Sequence, residues 1–330
     1  MSAPPYPKIE LHVHLEGAIR PKTLLSIARR NGIDLPADTE EGISELYRFR
    51  DFAHFVQVWI LTTNVLRTAD DCRAIVVDYA EEAARQGAVY VEAIFSPIER
   101  VARGVRWEDL FEGYCDGAVQ AAEEHGVTIR LTPDLYRGAD VEAANEAARW
   151  AVRYRDRGVV GLGLGGMETA CPADVYAEAF AIAHDGGVAG VPHAGESAGP
   201  DSIRSTMAAT NAVRLRHGIR AVDDETLLAE LADRGMVLDV CPTSNLRTRV
   251  VDDLADHPLP ALLRAGVPCS IGTDDPAMFG TDLDTEHAVA RDLGATPQCM
   301  YDAGVQGALC DDDVRKGLLA IGTDTVWSAA

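Results

Sequence analysis

Hydrophobic and polar positions follow two rhythms along this chain. Short apolar or β-branched runs occur at Lys8–His14, Ala88–Phe95, Thr128–Pro133, Val159–Leu164, Gly190–His193, Val213–His217, Met236–Cys241 and Pro268–Thr273. Between them, apolar positions recur every three to four residues in Arg20–Arg30, Ala69–Gln86, Trp107–His125, Val141–Arg155, Pro172–His184, Asp223–Arg234 and Leu259–Ala265. The first rhythm marks strands and the second amphipathic helices. Strands alternating with helices predict a parallel sheet in an α/β fold. Eight of them predict closure into a (β/α)8 TIM-type barrel, as a single domain over 1–330.

Two stretches exceed that plan. Between the first helix and the second strand, Gly32–Thr68 carries Leu46, Tyr47, Phe49, Phe52, Phe55, Val56 and Trp59 at helical spacing. The spacing fits a core-facing helix or a helical lid over the barrel mouth, with some aromatics facing substrate. After the eighth strand, Thr296–Leu309 and Asp311–Ile321 predict extra C-terminal helices; the Asp-rich start of the second suits a helix N-terminus.

Composition narrows the function classes. The chain has 330 residues, 47% of them apolar and 25% charged, as in a folded globular protein. No apolar run reaches the roughly 18 residues that span a bilayer, and Met1–Pro7 does not read as a secretory leader. A net charge of −22 disfavours nucleic acid and anionic membrane as partners. The seven cysteines include no C-x-x-C pair. That argues for reduced thiols in a cytoplasm and against a cysteine-based metal site. Oligomeric state is not readable.

Four places carry chemistry, each at the end of an expected strand. The first is Leu11-His12-Val13-His14-Leu15-Glu16-Gly17, where alternation puts His12 and His14 on one face. The second is His193-Ala194-Gly195-Glu196, the third Arg216-His217-Gly218, and the fourth Gly272-Thr273-Asp274-Asp275-Pro276. Alone, each is weak: a histidine or aspartate at a strand end is often a hydrogen-bonded loop anchor, and Asp before Pro can simply turn. Together they fall on the face where such barrels keep their active sites. His12, His14, His193 and Asp274 offer three nitrogens and one oxygen, leaving room for a water, as a catalytic zinc site requires. Zinc lowers the pKa of such a water to about 7. His217 and Asp275 could orient or deprotonate it, and Glu196 remains as a general acid. The other histidines, His54, His125, His184, His257 and His287, read as surface or core residues.

These motifs together resemble the adenosine deaminase family of the amidohydrolase superfamily over nearly the whole chain. Ser270–Pro276 resembles its S-x-x-T-D-D-P, and Cys241-Pro242-Thr243-Ser244-Asn245 its C-P-x-S-N turn. The resemblance implies one zinc ion per chain, held by His12, His14, His193 and Asp274. It implies that Glu196 protonates purine N1 while His217 and Asp275 guide attack at C6. It implies that Gly166, His14, Asp275 and the lid aromatics Phe49 and Phe52 meet a small purine nucleoside. Two positions depart from the family. Glu16 stands where members carry an Asp that contacts the ribose 5′-hydroxyl. Gly163-Leu164-Gly165-Gly166-Met167-Glu168 replaces a D-L-A-G-D-E stretch. A changed 5′ contact suggests a changed 5′ substituent. The G-L-G-G-x-E form, with Leu46-Tyr47-Arg48-Phe49-Arg50, looks like the actinobacterial branch that deaminates 6-aminodeoxyfutalosine in menaquinone biosynthesis. That substrate ends in an aryl carboxylate, for which Arg48, Arg50, Arg100 and Arg137 are candidate partners.

Three other readings compete. Adenosine or free adenine keeps the chemistry, and a base-only site would be closed beside Glu16 and Met167. Amide or phosphoester hydrolysis on two metals would need a bridging Lys at the end of the fourth strand, where none stands. A non-catalytic metal- or nucleoside-binding barrel would not need Glu196.

Overall fold

The computed structural model describes residues 6–327. Most of the leader reading, Met1–Pro7, therefore lies outside the described residues. The strands are β1 (Lys8–His14), β2 (Ala88–Phe95), β3 (Thr128–Tyr136), β4 (Gly161–Gly165), β5 (Ala189–Gly190), β6 (His193–Ala194), β7 (Leu215–His217), β8 (Leu238–Val240) and β9 (Cys269–Ile271). Neighbours pair in parallel from β1 to β5 and again from β6 to β9. β5 and β6 are two halves of the expected strand Gly190–His193. Pro192, lying between them, has no N–H for the ladder. Main-chain bonds bridge the break: Val191 N–H donates to Leu162 O (2.9 Å), and Val213 N–H to Gly190 O (3.0 Å). At the other seam Asp274 N–H donates to His12 O (3.1 Å), and His14 N–H to Asp274 O (2.7 Å). The ring of strands is thus closed, as the alternation predicts.

β1 shows why the site sits where it does. Ile9 and Leu11 pack on Tyr301 and Val305 of the C-terminal helix Pro297–Gly307. A register irregularity between Glu10 and Val13 interrupts the alternation: Glu10 bonds Tyr79 of the helix Ala69–Arg85, whereas His12 and His14 face the axis. That axis is polar rather than aliphatic. Arg214 lies between Glu92 and Asp239, 2.7 Å from each, and Arg216 bonds Asp134 and Thr132. All six are buried, and these pairs form a charged plug beneath the barrel mouth.

Several local expectations need correction. Helices Pro200–Thr210 and Leu283–Asp292 were not foreseen. The first is rich in Ser and Thr, and the buried face of the second carries Glu286 and His287 beside Leu283 and Ala290. One starts at a proline; the other is capped by Asp282, which accepts from Thr285 N. The expected helix Pro172–His184 begins as a 3-10 turn, Ala173–Tyr176, before the α-helix Ala177–Asp185. The insertion forms two helices, Glu40–Leu46 and Phe52–Thr63. Asp51 starts the second by accepting from His54 N. Among the described residues, no helix is long and apolar enough to cross a membrane.

Candidate active site

The ends of β1, β6, β7 and β9 bring His12, His14, His193, His217, Asp274 and Asp275 together. His12 Nε2 and His14 Nε2 stand 3.2 and 3.3 Å from His193 Nε2. Asp274 Oδ1 stands 3.5 and 3.3 Å from the first two. His12 Nδ1–H donates to Asp239 O (3.2 Å) and His193 Nδ1–H to Leu164 O (3.1 Å). Their Nε2 atoms therefore carry lone pairs that point at one another. Neutral nitrogens so arranged repel unless a cation lies between them. Donors around a tetrahedral ion with bonds of about 2.0–2.1 Å stand roughly 3.3–3.4 Å apart, which is the spacing here. Burial pushes His14 down to about 3 and His193 well below the usual range, so both are neutral, as ligands must be. By donor type and spacing the four residues could hold a metal ion.

Backbone strain marks the same spot. His217 (φ 62°) and Asp274 (φ 63°) are two of the four non-glycine residues with left-handed φ among the described residues. Asp274 Oδ2 accepts from Ser244 Oγ (2.6 Å). Asp275 Oδ1 accepts from Trp59 Nε1 (2.9 Å), tying the lid helix to the floor.

Glu196 lies beside this cluster, its Oε2 3.7 Å from His217 Nε2. Burial raises its carboxyl well above the usual range, and Asp274 and Glu168 reinforce the shift. The shift favours the neutral acid, the form that can donate a proton. Glu168, part of the G-L-G-G-x-E stretch, fixes the loop that carries it. Its carboxylate accepts from the N–H groups of Gly195, Glu196, Ser197 and Ala198 (2.8–3.2 Å) and from Ser202 Oγ (2.8 Å).

A second chain of bonds sets the tautomer of His217. Leu259 N–H donates to His257 Nδ1 (3.0 Å), so the His257 proton is on Nε2 and goes to Asn245 Oδ1 (3.1 Å). Asn245 Nδ2–H then donates to His217 Nδ1 (3.3 Å). The His217 proton must lie on Nε2, which has no protein partner and faces Glu196 and Asp274. His257, read from sequence as merely surface or core, is buried and sets this tautomer. Sequence reasoning also missed Asn245, Ser244, Glu168 and Trp59. The C-P-x-S-N turn, noticed but given no role, was the available signal for two of them.

One cavity of about 640 Å³ opens over the cluster. Its wall includes His14, Phe52, Gly166, Met167, Glu196, His217, Asp274 and Asp275. Gly166 adopts φ +86°, which lets the main chain turn close beside Arg137. A Cβ at Gly163 would collide with the Asp134 carboxylate and Arg216, so the aspartate expected there has no room. Two expected contacts are not on the wall. Glu16 turns away from the cavity and accepts from Ser96 N (2.8 Å) and Tyr114 Oη (3.1 Å). Phe49 packs behind the wall on Phe55 and Phe279, because the chain turns between the two lid helices at that point. Phe52, Phe55, Val56, Trp59 and Ile60 line the cavity instead. Of the expected arginines, Arg48 is exposed and paired with Glu45, Arg50 is exposed, and Arg100 is buried against Thr63. Only Arg137 reaches the wall.

The adenosine deaminase family model matches residues 7–322. The chain belongs to the adenosine deaminase family. An aminodeoxyfutalosine deaminase from Acidothermus cellulolyticus is 58% identical over 328 residues, covering 97% of this chain and 92% of its own. Among solved structures, adenine deaminase from Arthrobacter aurescens superposes with a TM-score of 0.92 at 30% identity, covering 99% of this chain and all of that one. An amidohydrolase from Burkholderia ambifaria with bound zinc gives 0.88 at 26% identity, covering 98% of this chain and 90% of that one.

Proposed function

We propose that this adenosine deaminase family member is a zinc-dependent aminohydrolase that removes the 6-amino group of 6-aminodeoxyfutalosine and releases ammonia. It would bind one zinc ion per chain, on His12, His14, His193 and Asp274. The observation that carries the chemistry is the meeting, at the floor of one cavity, of that donor set and the Glu196 carboxyl, whose charged form burial disfavours. The substrate rests on the Acidothermus relative, whose named activity it is. The opening of the cavity beside Met167 favours a nucleoside over a free base.

Each residue has a part that follows from its geometry. The metal, when bound, acidifies the attacking water and withdraws charge from it. Glu196 donates its proton to purine N1, which drains electrons from C6. His217 presents Nε2–H toward the floor and orients the water. Asp275, raised by burial and by its neighbour Asp274, accepts from Trp59 and faces the same volume, where it can hold or take up a proton. The water oxygen adds to C6 while one of its protons passes to Asp275 and from there to the amino nitrogen; the C6–N bond breaks, ammonia leaves, and the proton remaining on the oxygen returns to Glu196 as the 6-oxo product forms. Phe52, Phe55 and Trp59 exclude water above the ring.

The test compares ammonia release from 6-aminodeoxyfutalosine, adenosine and adenine by metal-analysed protein. The expected result is one zinc per chain and the highest kcat/KM for 6-aminodeoxyfutalosine. Preference for adenosine would make the protein an ordinary adenosine deaminase. Preference for adenine would align it with the Arthrobacter neighbour.

A further inference from the structure

The proposed reaction needs nothing beyond the floor of the cavity, yet the same cavity is walled by a second polar group of residues. Ser96, Glu99, Ala102 and Arg103 follow β2, on and just past the short helix Pro97–Val101. Arg103 differs from every other arginine considered. Arg100 gives both terminal nitrogens to Thr63, and Arg137 gives both to the main-chain carbonyls of Cys171 and His193. Those guanidinium groups are structural. Among the described residues Arg103 has one hydrogen bond, from Nη1 to Glu99 O (2.8 Å), and no carboxylate partner. The residue lines the cavity with its other donors unused by the protein. Arg100 and Arg67 stand near enough to crowd it with like charge. Glu99 offsets part of that charge, but no carboxylate forms an ion pair with Arg103 among the described residues, and Arg103 lies on the wall of a binding cavity. Glu99 beside it is partly buried, with a buried Oε2 that has no partner.

A guanidinium with a free edge is complementary to a carboxylate, which it can grip by two parallel bonds. We propose that Arg103 selects substrates that carry a carboxylate on the 5′ arm, by pairing its free edge with that anion. The inference rests on the proposed deaminase reading and supplies the contact that Glu16 does not make. Arg103 takes no part in the chemistry at C6; it is a specificity residue at the far end of the substrate.

The experiment uses the full zinc-loaded chain, with 6-aminodeoxyfutalosine and its carboxamide analogue as paired substrates. Arg103→Gln should lower kcat/KM for the carboxylate substrate about 10- to 100-fold, chiefly through KM, the size of a lost charge-assisted hydrogen bond. With the carboxamide, wild type and variant should differ by less than about threefold, because the partner is already gone. Arg103→Lys should recover part of the loss, keeping the charge without the fork. Arg103 is half-exposed, and an unchanged Tm and zinc content would show that the fold persists. Equal losses on both substrates, or no loss on either, would overturn the inference while leaving the deaminase reading intact. A wild-type enzyme that prefers adenosine would overturn the substrate reading and the inference together.

Discussion

The floor of the cavity and its outer arm are built differently. At the floor, His12 and His193 are each fixed by a bond to a main-chain carbonyl, and Asp274 by Ser244 and a left-handed backbone. These three metal-ligand candidates are held in place by their surroundings, while His217 Nε2 beside them is left free for the reactants. At the outer arm, Arg103 hangs from one carbonyl and Glu99 has an orphan oxygen. The floor is set before substrate arrives; the arm has bonds left to make. Fixed geometry suits transition-state stabilisation, which tolerates little displacement. Unmet bonds suit recognition of a group that differs between substrates.

The sharpest way to break this contrast is Glu196→Gln. The amide keeps the shape and the metal ligands but cannot donate the proton. The expected loss in kcat is about 10³-fold, within the usual range for general acid catalysis, with zinc content unchanged. A variant with near-normal kcat would remove Glu196 from the chemistry and revive the non-catalytic reading.

Glu168→Gln comes next. The carboxylate accepts five bonds, and an amide offers one oxygen and a donor that would face N–H groups. The loop carrying Glu196 should shift, and kcat should fall about 10- to 100-fold with KM for substrate little changed. A fall in zinc occupancy instead would mean that Glu168 supports His193 rather than Glu196.

These two residues also mark what can be read from sequence. Glu196 was legible because it closes a short motif at a strand end, where alternation and barrel topology fix direction. The same logic found His12, His14, His193, His217, Asp274 and Asp275. Glu168 was visible in the G-L-G-G-x-E stretch, but its role was not, since its partners lie about thirty residues on. Strand-face logic fails wherever side-chain direction depends on a turn between helices or on a neighbour's volume. Hence Phe49 was expected on the wall and packs behind it, Glu16 turns to Ser96 and Tyr114, and Arg103 lies in the turn just past a short helix, where no strand-end logic points to it. The barrel itself was legible in every strand because apolar runs set it. The split at Pro192 and the helices Pro200–Thr210 and Leu283–Asp292 were not, being decided by a missing N–H and by end capping.

A smaller effect separates chemistry from positioning at the floor. His257→Phe removes the proton that orients Asn245, freeing that amide to flip and present its oxygen to His217 Nδ1. His217 could then place its proton on Nδ1 and lose the donor at Nε2. A loss of about 10-fold in kcat is expected, with KM unchanged. A merely structural role would lower Tm and leave the kcat of the folded fraction intact.

The smallest predicted effect probes the arm through pH. Burial raises the Glu99 carboxyl to about 7, Arg100 opposing the shift, Glu16 adding to it and Arg103 again opposing. Below about pH 7 Glu99 is neutral and can donate to an oxygen of the substrate. Above it the carboxylate is charged and repels an anionic arm held by Arg103. KM for a carboxylate substrate should therefore rise a few-fold between about pH 6 and 8, while KM for its carboxamide stays nearly flat. Glu99→Gln, neutral throughout, should flatten the carboxylate profile at its low-pH value. Measuring KM against pH for both substrates separates this from the floor, where ionisation of Glu196 or Asp275 would move kcat for both alike. A profile that Glu99→Gln leaves sloped would place the titrating group on the floor. The arm would then contribute charge through Arg103 alone.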